Sequence, residues 1–356
     1  MSLLIYGAYG YTGRLVARRA AEHGPEPILA GRDAQKLGTL ARELELPHRA
    51  FALEDGTALR EAVSEADLVL HCAGPFARTA HPMVEACLRA GTHYLDITGE
   101  IEVFEYVASQ DARATEAGVM LMPGVGFDVV PTDCLAAYLK EKQPDAQYLE
   151  LAVFMKGNLS GGTAATAAMN AGRGSAIRKS GRITHTPAAW RTRQVDFGRG
   201  ATKVVSIPWG DVATAWHTTG IPNIITYAKL PRGAEHLMKA ARYAGPLLRT
   251  RPVRRFLEAF ARESAEGPDA AMRETGRSFV WGRARTAGGG AATARLSGPE
   301  AYALTARTAL GTAERALNGS AATGFQTPAG HFGADYILDF EGVRREDLSQ
   351  AKRGSS

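Results

Sequence analysis

The chain has 356 residues, 45% of them hydrophobic, and a formal net charge of +5. That length and apolar content suffice for a large core and point to two domains, while so modest a charge suits anionic small molecules or a membrane surface and does not call for nucleic acid. Cys72, Cys87 and Cys134 are odd in number and far apart in apolar segments, so they read as core thiols of a reducing compartment and not as a disulfide framework. Strand-like sequence begins at residue 3 and no apolar run reaches the ~18 residues of a membrane span; the expectation is a cytoplasmic protein with no signal peptide or transmembrane segment.

Leu3-Leu4-Ile5-Tyr6 leads into Gly7-Ala8-Tyr9-Gly10-Tyr11-Thr12-Gly13 and then a helix-compatible stretch. Strand, glycine turn and helix in that order form a dinucleotide fingerprint. The glycines allow a tight turn and close approach of a pyrophosphate, and the helix start offers free N–H groups. The next strand, Pro27-Ile28-Leu29-Ala30, ends in Gly31-Arg32-Asp33. A guanidinium at Arg32 pairs with a ribose 2′-phosphate, which favours NADP(H) over NAD(H); Asp33 is either a ribose ligand or the N-cap of a helix over Ala34–Leu46.

Further along, His48–Leu53, Asp67–Ala73, His93–Thr98 and Val119–Val125 read as strands, with helices near Thr57–Glu65, His81–Ala90 and Ile101–Ala117. Such alternation predicts a doubly wound parallel sheet with its ligand chemistry at the carboxyl ends of the strands. Loops richer than a turn needs follow three of them: Cys72-Ala73-Gly74-Pro75-Phe76, Asp96-Ile97-Thr98-Gly99-Glu100, and Pro123-Gly124-Val125-Gly126-Phe127-Asp128. Asp128, Asp96 and Glu100 are the candidate catalytic acids, since burial raises a carboxyl group toward the range of a general acid. Each can equally be a satisfied structural carboxylate.

After about residue 145 the pattern becomes mixed, with strands Tyr148–Met155, Lys203–Ile207 and Asn223–Leu230 and a hairpin of Ser278–Arg285 with Thr293–Leu296. The expected organisation is a Rossmann-type domain over 1–145, a substrate or dimerisation α+β domain over 146–321, and a segment 322–345 returning to the first domain. The tail from Arg344 reads as frayed. Ser160-Gly161-Gly162-Thr163 at a helix start forms a second candidate anion site for substrate. Arg178 is the substrate candidate from a basic run of Arg173, Arg178, Lys179, Arg182, Arg191 and Arg193, read as a loop. The proline-broken, arginine-rich stretch 233–262 is either a core or interface helix with a solvated basic face or a surface for a membrane or acyl carrier. No G-x-S-x-G, H-E-x-x-H or C-x-x-C occurs, so neither a serine hydrolase nor a metal site is expected; Tyr138 and Lys142 match Y-x-x-x-K by chance.

Taken together, GAYGYTGR, AGRDAQKL, CAGPFARTAHPMVEACLRAGTHYLDITGE and PGVGFDVVPTDCLA resemble the saccharopine dehydrogenase-like superfamily, most closely its trans-acting enoyl reductase branch. LSGGTAAT, VSIPWGDVATAWHTTGIPNI and GFQTPAGHFG are similar to the same branch. The resemblance implies an NADP-type Rossmann domain and an inserted α/β domain that closes over the cofactor. It assigns cofactor contact to Gly7, Gly10, Tyr11, Thr12, Gly13, Arg32, Ala73 and Gly74, to which their neighbours Tyr9 and Pro75 are added. It implies hydride transfer to a C=C or C=N bond of an acyl- or amino-acid-derived substrate. A saccharopine- or opine-type C–N dehydrogenase and a non-catalytic NADP sensor remain the alternatives. A small-molecule or acyl-thioester substrate, an acyl-carrier partner and a homodimer are the partner expectations.

Overall fold

The computed structural model describes residues 1–156, 160–162, 174–231, 233–240 and 267–348, with a few positions between 250 and 260. The chain forms two compact units: Met1–Asp128 with Tyr302–His331, and Val129–Ala301 with the remainder from Phe332. The division thus falls at Asp128 where the sequence reading put it at 145, and the returning segment is 302–331 where the reading had 322–345.

The first unit is built on a parallel sheet. Its strands are β1 (Leu3–Tyr6), β2 (Pro27–Gly31), β3 (His48–Ala50), β4 (Leu68–His71), β5 (His93–Asp96) and β6 (Met120–Met122), with Gly324–Phe325 added at one edge. The order is Gly324–Phe325, β6, β5, β4, β1, β2, β3. β1 and β4 are buried along their whole length, as strands covered on both faces must be, which is why they read as continuous apolar runs. Chain order reverses between β1 and its neighbours β2 and β4, and the loops leaving β1 and β4 flank that switch point, where open α/β sheets bind their ligands.

The helices show why these residues fold locally as they do. In α2 (Ala34–Leu44) Leu37, Leu40 and Ala41 face the sheet, and in α3 (Gly56–Ser64) Leu59, Ala62 and Val63 do, at the three- and four-residue spacing of one helix face. Each buried leucine or valine contributes roughly 1.5–3 kcal/mol by leaving water. Asp33 caps α2 by accepting from the Lys36 N–H, and Asp55 caps α3 by accepting from Thr57 and Ala58. α4 runs Phe76–Ala90 with Pro82 inside it, longer than the expected His81–Ala90. The stretch expected as one helix over 101–117 is two, α5 (Ile101–Ala108) and α6 (Asp111–Glu116), broken where the Ser109 hydroxyl turns back to the Tyr106 carbonyl.

The second unit is a mixed sheet. β7 (Tyr148–Met155) lies parallel to β12 (Asn223–Ala228) and antiparallel to β13 (Arg277–Arg285), which pairs with β14 (Ala291–Pro299). β10 (Thr192–Asp196) and β11 (Ala201–Ser206) extend one side, and β8 (Ser175–Lys179) with β9 (Arg182–Thr186) forms a hairpin attached at β12. The run expected to fray pairs with β14 over Arg344–Asp347, and Arg345 stacks on the Tyr138 ring at 3.8 Å while reaching Asp335. One face of the sheet packs on α7 (Val130–Lys142): a Cβ on Gly282 would lie 2.7 Å from a methyl of Leu139, so only glycine lets the helix come this close. Among the described residues no helix is long and apolar enough to cross a membrane.

Candidate functional site

The turn after β1 is held by its own backbone. Gly7 N–H donates to the Ala30 carbonyl at 2.8 Å and Gly10 N–H to the Gly7 carbonyl at 2.9 Å. Gly7 has φ +84°, a left-handed conformation that costs a side chain dearly, and a Cβ there would stand 2.8 Å from both Cβ and N of Ala73. A Cβ on Gly13 would sit 2.2 Å from the Gly7 carbonyl oxygen, so helix α1 (Tyr11–His23) can pack onto its own turn only through glycine. Gly10 is less crowded, its Cβ meeting only the Gly7 oxygen at 3.1 Å. Space there is open on the outward side, as a bound pyrophosphate requires.

Capping sets α1 apart from its neighbours. Its N-cap is Gly10, which has no side chain to cap with, and no acid stands in its first turn; the first donor to an intrahelical carbonyl is the Arg14 N–H. α2 and α3 are closed by Asp33 and Asp55. α4 is closed by Glu100, whose Oε1 accepts from Phe76 N–H at 2.8 Å and Oε2 from Ala77 N–H at 2.9 Å. The positive end of α1 thus has no carboxylate in its own first turn, the setting in which helix starts bind anions. Tyr9 lies against Gly31, where a Cβ would come within 2.6 Å of its ring, and Arg32 is exposed just beyond. Tyr11 meets Tyr302 edge to face at 5.0 Å, and Thr12 is half-buried in the first turn of α1.

The three candidate acids have different surroundings. Asp96 is fully buried, accepting from the Tyr94 hydroxyl at 2.7 Å and from the N–H groups of Thr98 and Gly124 at 2.9 Å each. Burial pushes its carboxyl up to about 6 although the three donors pull the other way. It ties the loops after β5 and β6 together. Glu100, as above, is the anion of α4. Asp128 is half-buried at the end of the unit, packed into the room that Gly99 leaves: a Cβ on Gly99 would be 2.8 Å from Oδ2. Among the described residues nothing hydrogen-bonds its carboxylate, and desolvation alone raises it to about 6.

The second unit uses its predicted residues otherwise. The Arg178 guanidinium is 4% exposed; Nε donates to the Val212 carbonyl and a terminal nitrogen to the Gly181 carbonyl, both at 2.8 Å, and it stacks on Trp216 at 5.4 Å. It joins β8 to the helix Asp211–Thr219. The basic run read as a loop lies largely on strands, with Arg193 paired to Glu150 and over Trp281. Strand alternation spaces like charges two apart, which in a string of letters is indistinguishable from a basic loop. Ser160 is buried, and Gly161 and Gly162 open a helical turn; Thr163, Arg173 and most of 233–262 lie outside the described residues. Tyr138 donates to Asp347, a structural use. All three cysteines are free thiols, and burial raises Cys72 to about 12. No group of three or more His, Cys, Asp or Glu side chains among the described residues could hold a metal ion.

The glycine turn, the open end of α1 and the loops at the switch point together define a Rossmann-type nucleotide-binding domain. Residues 3–122 match the model of the saccharopine dehydrogenase NADP binding domain, the family that the motifs of this stretch resemble. A saccharopine dehydrogenase-like oxidoreductase of Arabidopsis thaliana, whose name places it in mitochondria, is 34% identical over 148 residues, covering 37% of this chain and 33% of the relative. A trans-acting enoyl reductase of Mycobacterium ulcerans is 32% identical over 160 residues, covering 42% of this chain and 38% of the relative. The matched stretch thus spans well under half of these relatives. Saccharopine dehydrogenase from Saccharomyces cerevisiae, solved without ligand, shares the fold with a TM-score of 0.63 over 98% of this chain and 99% of its own, at 11% identity.

Proposed function

We propose that the protein is an NADPH-dependent oxidoreductase of the trans-acting enoyl reductase type, reducing a C=C bond of an acyl-derived substrate. The observation that carries the reading is the pairing, within one unit, of an α1 that opens on a glycine turn with no acid in its first turn and an acid, Asp128, whose carboxylate has no hydrogen-bond partner among the described residues. Gly7, Gly10 and Gly13 leave the cradle; Thr12 and the first turn of α1 would hold the pyrophosphate, Arg32 the 2′-phosphate, and the Ala73–Pro75 loop the nicotinamide half. Reduced nicotinamide, when bound, supplies the hydride.

The protein supplies position and a proton. A carboxyl group near 6 is partly protonated close to neutrality, so Asp128 can give its proton to the alkene carbon adjacent to the one that receives the hydride, and regain it from water. Asp96 cannot share that duty, because each of its oxygens is already engaged by a donor. Relatives bearing the enoyl reductase name support the C=C assignment. A carrier-bound acyl thioester, a cytoplasmic setting and a homodimer belong to the same reading and rest on sequence alone.

The test is NADPH oxidation by the purified protein with enoyl thioesters, set beside oxo-acids plus amines. Consumption with the thioesters only is expected. Consumption with oxo-acid and amine only would replace the reading by a C–N dehydrogenase, and NADPH binding without turnover in either panel would favour a sensor.

A further inference from the structure

The loop Ala73–Pro75 is shaped from beneath by one hydroxyl. Thr79, in the first turn of α4, has Oγ1 2.7 Å from the Ala73 carbonyl, 3.2 Å from the Pro75 carbonyl and 2.9 Å from Nε2 of His71. A threonine hydroxyl has a single proton and both carbonyls only accept. The proton is therefore spent on Ala73, with Pro75 the weaker share, and Oγ1 must accept from His71. That fixes the imidazole as the Nε2–H tautomer. Nδ1 is then bare, and it is buried with no hydrogen-bond partner among the described residues.

His71 is held where it cannot change state. It is fully buried, with ring centroids of Tyr6, Phe76 and Tyr94 at 5.6, 5.3 and 6.3 Å. Burial takes the imidazole down to about 3, so the ring stays neutral and its one N–H stays on Thr79. A helical threonine often bonds back to the carbonyl four residues earlier, here Pro75. The shorter bond reaches outside the helix, to Ala73, and α4 already has Glu100 at its end, so helix formation alone does not call for this histidine.

What the hydroxyl holds abuts the glycine turn. The backbone nitrogen and Cβ of Ala73 lie just where a side chain on Gly7 would begin, and Cys72 N–H continues the sheet by donating to the Tyr6 carbonyl at 2.7 Å. The separation of loop and turn is thus set to the width of a glycine. We propose that Thr79, oriented by His71, is a positioning residue for the nucleotide: its hydroxyl fixes the Ala73–Pro75 loop at the spacing from Gly7 that the cofactor needs. This rests on the NADP reading above.

Titrating NADPH into wild type, Thr79→Ser and Thr79→Val, with a melting curve for each, tests it. Thr79→Val keeps the shape and removes the donor; its NADPH Kd should rise about tenfold, the scale of one lost hydrogen bond, while Thr79→Ser stays within about twofold. A valine variant that melts lower yet binds NADPH as wild type does would overturn the proposal and leave the cofactor reading standing. Wild type that fails to bind NADPH would overturn the cofactor reading, and the proposal with it. Should Thr79→Val not fold, ¹⁵N NMR of the wild-type imidazole decides: bare Nδ1 at neutral pH is expected, and a proton on Nδ1 would overturn the relay.

Discussion

The N-termini of α1 and α4 emerge from adjacent strands of one sheet, β1 and β4, and end in opposite states. α4 receives a carboxylate from 24 residues downstream, Glu100, on two of its N–H groups; α1 opens on Gly10 with no acid in its first turn. Uncapped helix starts are costly unless water or a ligand serves them. The difference is one of acids: Asp33, Asp55 and Glu100 stand on the N–H groups that open α2, α3 and α4, and the first turn of α1 has no acid. The same contrast recurs between Asp96, engaged on both oxygens, and Asp128, engaged on neither among the described residues.

The comparison breaks most severely at the glycine turn. Gly10→Val should leave a folded protein, because only the Gly7 oxygen stands near the new Cβ, yet lower NADPH affinity by about 10²-fold or more by filling the pyrophosphate's space. Normal NADPH binding by fluorescence titration would reduce the motif to a turn. Next in size, Asp128→Asn should cost about 10²-fold in turnover with cofactor affinity intact, the scale of losing a positioned acid.

The same variant carries a stability signature whose sign follows from its raised carboxyl. Asp128 sits near 6 in the folded state against an ordinary value of 3.8, so the folded protein holds the proton more tightly, and stability falls as pH rises from about 4 to about 6. Asp128→Asn removes that loss. Its melting temperature should exceed that of wild type at pH 7.5 and the gain should vanish near pH 4, measured by calorimetry at both. A gain independent of pH would detach it from the carboxyl group.

Smaller effects sharpen the picture. Arg32→Ala should weaken NADPH by roughly 10- to 100-fold and NADH hardly at all, since only NADPH loses a charge-assisted contact. Equal losses in a paired titration would remove Arg32 from the 2′-phosphate. Glu100→Gln should lower stability by about 1–2 kcal/mol through the lost charge at α4, with activity largely retained, as denaturant unfolding beside an activity assay would show.

Much of the first unit was legible in the chain because its signals are local. Buried parallel strands are apolar throughout, glycines mark a turn, and Asp33 and Asp55 stand where N-caps stand. What the letters hid depends on partners far apart. Glu100 reads as a candidate acid until its carboxylate is seen across α4, and α4 begins five residues before its expected start because that distant acid closes it. Gly99 reads as a loop glycine until Asp128 fills the space it leaves. His71 and Thr79 carried no signal, being a strand histidine and a helix threonine eight residues apart. In the second unit, a strand's alternation made a basic run resemble a loop, and Arg178 resembled a ligand site when its guanidinium serves two backbone carbonyls.

The central claim, that the start of α1 behind the glycine turn is a dinucleotide phosphate site tuned for the 2′-phosphate, is tested most directly by calorimetric titration of the protein with NADPH and with NADH under identical salt. The account predicts one site per chain for NADPH, bound at least tenfold more tightly than NADH, in line with one charge-assisted contact of about 1.5–3 kcal/mol. Equal affinity for the two, or no heat with either, would contradict it.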